Sequence, residues 1–209
     1  MVDQDAMSSN AVPANSLAEI YLYLMIAPCP GCGHQALAGG DAVPEPSEPF
    51  RFVGLEVGCK ACAWNQCLLF CLPDGELAHS RADGANTPTR INPTGEVSRI
   101  IDVVGWVQLF RTISEAAAKT GNKTEARLIA FEAAQCLEEA LRFYEDDNDL
   151  PPESALFSED SRRHVREHPH SVARSRLVNL RAKLPSIDAM ERALSQVPMK
   201  KPWWKLWGR

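Results

Sequence analysis

Cys29-Pro30-Gly31-Cys32-Gly33 is answered, after 26 intervening residues, by Cys59-Lys60-Ala61-Cys62. A thiolate pair two residues apart wraps one edge of a tetrahedral ion, and the adjoining Gly and Pro let backbone amides turn toward sulfur. Two such knuckles predict one closed site, with Cys29, Cys32, Cys59 and Cys62 holding a single structural Zn2+. Seven cysteines is an odd number, and four of them fall in these pairs. Metal-bound thiols in a reducing cytoplasm therefore account for them better than a secreted disulfide framework. Met1 to Asn15 is polar, with two Asp and no Lys or Arg, which is not the form of a signal peptide.

Outward from the knuckles the chain reads as β-structure. Arg51–Val57 rises as a strand into the second knuckle, and Ala63–Leu72 leaves it as another, closed by Pro73-Asp74-Gly75. Leu17–Ile26 fits either a helical or a strand period. The alternation of Tyr21, Tyr23 and Met25 with Leu22, Leu24 and Ile26 favours a strand into the first knuckle, although Ser16 is placed to cap a helix. Ala36–Pro49, rich in Gly and Pro, reads as a surface loop. Cys-Pro-x-Cys-Gly at Cys29–Gly33 resembles the knuckle of the zinc-ribbon family, over about residues 21–72. The resemblance implies a small β-rich module whose metal is structural. The gap between the knuckles is longer than is usual in that family.

The remaining residues predict helices. Ser98–Thr120 carries an apolar stripe at Ile100, Val103, Val104, Val107, Phe110, Ile113 and Ala117. Gly121 suits a left-handed C-cap, and Asn122-Lys123-Thr124-Glu125 has capping-box spacing. A second helix then runs to about Asp146 on Ala126, Ile129 or Ala130, Ala133, Leu137, Ala140 and Leu141, with Tyr144 closing the stripe. So short a link predicts a long antiparallel hairpin, each helix roughly 33 Å long. Shorter helices follow: one opened by Ser158 and ending before Pro169, one over Ser171–Leu184, and one capped by Ser186.

The predicted class is thus α+β, a zinc ribbon followed by an all-helical domain. Its expected parts are a flexible leader (1–15), the ribbon (16–78), a linker (79–97), the helical domain (98–197) and a Trp/Lys-rich tail (198–209).

Charge narrows the function. The 209-residue chain is 45% hydrophobic and 23% charged, with a formal charge of −5. From Leu17 to Ser80, seven acids (Glu19, Asp41, Glu45, Glu48, Glu56, Asp74, Glu76) face two bases (Arg51, Lys60). Such a ribbon repels phosphate, so nucleic acid is not its expected partner. Cys67 and Cys71 share a strand face with Leu69 and read as small core hydrophobes. The alternative draws a second or exchanging ligand set from Cys67, Cys71, His34 and His79, a thiol- or zinc-responsive switch. Cys136 reads as helix core.

The acidic run Glu138, Glu139, Glu145, Asp146, Asp147 and Asp149 precedes an Arg-rich stretch and predicts ion pairs between neighbouring helices. Divalent metal binding by its last three members is the alternative, though no turn Gly makes it a calcium loop. Arg163 and His168 stand in an Arg-x4-His spacing that looks like the motif of HEPN-type ribonucleases, where such residues would serve 2′-OH attack and the scissile phosphate. Pro169 directly after His168 places it at a helix end. Trp203, Trp204 and Trp207, interleaved with Lys200, Lys201 and Lys205, suit a pocket on a protein partner, the protein's own helices, or a membrane interface. No Ser/His/Asp set, phosphate loop or open metal site stands out, so the expected function is non-catalytic: a cytoplasmic zinc-binding adaptor or scaffold working through protein–protein contacts.

Overall fold

A computed structural model describes residues 11–40, 43–44, 52–73, 90–145 and 148–194. It is a mixed α+β protein. The described residues fall into two compact units, one holding residues 11–73 with Asn92–Glu96, the other residues 90–91 and 97–194.

The first unit is built on a five-stranded sheet: β1 (Val12–Pro13), β2 (Leu37–Gly39), β3 (Val43–Pro44), β4 (Phe52–Cys59) and β5 (Asn65–Cys71). β4 is its centre, antiparallel to β5, β2 and β3, while β1 runs parallel to the far edge of β5. Val53, Leu55 and Val57 are buried, and their register opposite Phe70, Leu68 and Gln66 makes this the inner face. Two residues of the expected leader therefore belong to the sheet. Ala14 behind them is buried and donates its amide to the Cys71 carbonyl (2.9 Å). Thr94 and Gly95, in the stretch read as linker, lie within a local Asx turn in which Asn92 Oδ1 accepts from the Thr94 amide (3.1 Å).

Leu17–Ile26, read as a strand, is a helix, α1. Ser16 Oγ accepts from the Glu19 amide (3.0 Å), and the Glu19 carboxylate accepts in return from the Asn15 amide. Ser-x-x-Glu is capping-box spacing, and it overrides an alternation that carries no information in a segment apolar on nearly every side. Ala18 and Leu22, like Ile20 and Leu24, are buried pairs four residues apart. The helix lies against β2, where a Cβ on Gly39 would meet the Leu24 and Leu55 side chains at 2.9 Å. The expected ribbon of strands alone is therefore corrected to a sheet with one helix on it.

The second unit is led by α2 (Val103–Lys119) and α3 (Lys123–Leu141), which pack along one another and are joined by three residues, an antiparallel pair. α2 starts five residues later than expected. Ser98 Oγ accepts from the Ile100 and Ile101 amides, holding a turn, and Asp102 supplies the cap (Oδ1 to the Gly105 amide, 2.8 Å). The buried face moves with the start. Trp106, Leu109 and Ile113 are fully buried, while Val104 and Phe110 are only half-buried. Asn122 caps α3 through the Thr124 and Glu125 amides.

The short helices α4 (Glu159–Glu167), α5 (Arg174–Arg181) and α6 (Ile187–Leu194) complete the unit. A 3₁₀ turn at Pro169–Ser171 replaces the start expected for the helix at Ser171. Phe131 of α3 and Met190 of α6 form one buried cluster with Leu128 and Ile187.

Candidate metal centre

The two knuckles are near copies of one another. The Cys29 amide donates to the His34 carbonyl (2.9 Å), and the Cys59 amide donates to the Trp64 carbonyl (2.9 Å), both five residues on. The Gly31 amide points at Cys29 Sγ and the Ala61 amide at Cys59 Sγ, each at 3.3 Å. The backbones of His34 and Trp64 hydrogen-bond the Cys32 and Cys62 sulfurs in the same relation. Every sulfur thus accepts from the backbone two residues ahead, a contact that steadies a thiolate.

Glycine is needed twice in the first knuckle. Gly33 has φ 74°, a left-handed conformation that side chains disfavour. A Cβ on Gly31 would come within 3.0 Å of Trp64 Cβ, so a larger residue there would require Trp64 to give way by a few tenths of an ångström. β4 carries Cys59 to the end of the sheet and β5 returns from it. β2, leaving the first knuckle, pairs Leu37 with Cys59. The Lys60 amide also donates to the Ala36 carbonyl (2.8 Å), which locks the two turns together. The first knuckle is entered from α1 through Ala27 and Pro28, not from the strand expected on both sides.

The sulfurs form a compact quartet. Cys29 and Cys62 are 3.7 Å apart, Cys32 and Cys59 are 3.7 Å apart, and all four lie within 4.8 Å of one another. Zinc–thiolate bonds of about 2.3 Å set the edge of a tetrahedron at about 3.8 Å. The four cysteines therefore sit at metal-binding distance, compatible with a zinc-ribbon-like site holding one ion.

Their acidity agrees with that reading. For Cys59, desolvation opposes ionisation, but the Ala61 amide and the neighbouring cysteines outweigh it and bring the thiol down to about 7. For Cys32, the His34 backbone favours the thiolate, yet desolvation and the three neighbouring cysteines push the thiol up to about 12. Without a cation, one thiolate makes the next unfavourable. A central dication reverses that, because all four ligands bind as thiolates.

Other predicted site residues are placed apart from this centre. Cys67, Leu69 and Cys71 do share a face, but it is the outer one. Cys67 lies opposite Glu56 and is exposed, and Cys71 lies opposite Phe52 and is half-exposed. The reading as core is corrected, since the knuckle register turns Phe70 inward. Among the described residues, the quartet is the one cluster of metal-ligating side chains. His79 lies outside the described residues. Cys136 is fully buried, its thiol pushed up by burial and by Glu132 and Glu139.

Arg163 is exposed on α4 and pairs with Asp160 on the same helix. His168 is exposed at the C-cap of that helix, its ring edge-on to His164 at 5.3 Å. The predicted pairing of acids with arginines appears as Arg181–Glu138, 2.7 Å, from α5 to α3. Asp149 accepts from the Ser175 amide (2.7 Å) at the start of α5, whose own N-cap, Ala173, has no side-chain acceptor. That contact holds the Asp149 carboxyl below the usual range. Asp146 and Asp147, like Trp203, Trp204 and Trp207, lie outside the described residues. No helix among the described residues is long and apolar enough to cross a membrane. No known protein family, no curated protein and no solved structure matches this chain.

Proposed function

We propose that this chain is a non-catalytic zinc-binding adaptor or scaffold, cytoplasmic, in which a Cys29/Cys32/Cys59/Cys62 zinc centre of ribbon type braces one part and protein contacts are made elsewhere. The supporting observation is the closed quartet. Four sulfurs at tetrahedral spacing leave a bound zinc no open position for water or substrate, as in structural sites. An S4 set also suits iron, so metal identity is the first thing to measure.

The contact surface is assigned to the Trp203/Trp204/Trp207 tail, whose aromatic and basic residues suit a pocket on a partner. The test joins both halves of the reading. Elemental analysis of the purified protein should give about one zinc per chain. Deletion of residues 198–209 should then abolish capture of a co-purifying protein with the zinc content unchanged. An iron-loaded or metal-free protein refutes the zinc centre, and identical capture by the truncated chain refutes the tail.

A further inference from the structure

A cleft of about 230 Å³ opens between α2 and the α4 region of the helical unit. Its walls are apolar at Val104, Val107 and Val172 and polar at Gln108, Arg111, Thr112 and His164. This cleft was not visible in the sequence, because Arg111 and His164 are 53 positions apart and neither belongs to a motif.

Arg111 is exposed and forms no ion pair with any carboxylate among the described residues. That sets it apart from Arg162, Arg163, Arg166 and Arg181, each of which faces a carboxylate. His164 is held differently. Its Nε2 lies 3.0 Å from Ser171 Oγ, which fixes the ring at the cleft wall. Burial, then His168 and Arg111, disfavour its charged form, and Glu167 only partly offsets them. The lining thus offers one permanent positive charge beside an amide, a hydroxyl and an imidazole, with three valines.

We propose that this cleft binds a carboxylate carried on a short branched aliphatic chain, with Arg111 taking the carboxylate and the three valines the chain. Three features select this class. A guanidinium fork matches the two oxygens of a carboxylate. One positive charge balances a monoanion and leaves a phosphate dianion half-compensated. The volume falls below the roughly 300–1,000 Å³ of sites for drug-sized ligands, and so admits a group about the size of one residue. The carboxylate can come from a free short-chain acid or from the C-terminus of a peptide ending in an aliphatic residue. This inference stands apart from the adaptor reading, since neither zinc nor the tail takes part.

The test is calorimetric titration of the full-length, metal-loaded protein with four probes: 4-methylpentanoate, N-acetyl-alanyl-leucine, the amide of that dipeptide, and inorganic phosphate. At least one of the two carboxylates should bind saturably. The tighter of them identifies the source as free acid or peptide end. The amide and phosphate should bind at least about tenfold more weakly, and Arg111→Gln should weaken the preferred carboxylate by a similar factor. Arg111 is exposed, so the variant should keep its fold, checked by circular dichroism. No saturation by either carboxylate overturns the assignment. So does equal binding of the amide, phosphate binding as tight as carboxylate, or an Arg111→Gln variant with unchanged affinity.

Discussion

Asp102 shows how much one side chain holds here. One carboxylate oxygen caps α2 at the Gly105 amide (2.8 Å), and the other accepts from the Phe157 amide (3.1 Å), 55 residues away. The residue is buried, so truncation strands two amides at once. Asp102→Ala is expected to lower stability by about 1–3 kcal/mol in urea unfolding, with Asp102→Asn losing less because its one carbonyl oxygen still caps. His164 sets a pH dependence. Its folded-state pKa is lowered, first by burial and then by His168 and Arg111. The unfolded chain therefore binds the proton more readily, and stability falls as pH drops through about 6.5, the unfolded value. Unfolding followed from pH 7.5 to 5.5 should show a shallower loss for His164→Gln than for the unmodified protein. Equal slopes would mean that other groups dominate the titration.

At the scale of elements, the helical pair rests on Trp106. It is 0% exposed, the largest fully buried side chain among the described residues, and no acceptor among them reaches its indole N–H. Apolar burial outweighs that unpaired donor, which gives the two obvious substitutions different expected costs. Trp106→Ala should destabilise by about 3–5 kcal/mol through the cavity it leaves. Trp106→Phe, which removes the buried donor along with some volume, should cost clearly less. A phenylalanine variant as damaged as the alanine one would show that an unseen partner holds the N–H. On α1, the decisive signal is Ser16 with Glu19, which prevails over the alternation of Tyr21, Tyr23 and Met25 with Leu22, Leu24 and Ile26. On α2, the apolar stripe reaches back to Ile100, but Ser98 holds only a turn there and Asp102 caps the helix. In both helices the residues at the ends carry more information than the period of the apolar side chains.

For the whole molecule, the two units should respond separately to loss of the metal. Cys59→Ser removes one of four ligands and should abolish metal binding and melt the sheet. Because α1 packs on that sheet, the loss of helical signal should match its ten residues and leave α2 to α6 intact. Collapse of the entire helical signal would show one cooperative unit. Thiol chemistry offers a parallel check: in the metal-loaded protein an alkylating reagent should modify Cys67 first and leave buried Cys136 untouched. The sequence by itself determined the cysteine quartet, the caps at Asn122, Ser158 and Ser186, and the burial of Cys136, because each depends on residue types at short fixed spacings. It could not determine which face of β5 turns inward, that Val12–Pro13 joins a sheet edge, or that Arg111 and His164 share a cleft. Those follow from register and from packing between residues far apart in the chain, which only the tertiary structure brings together.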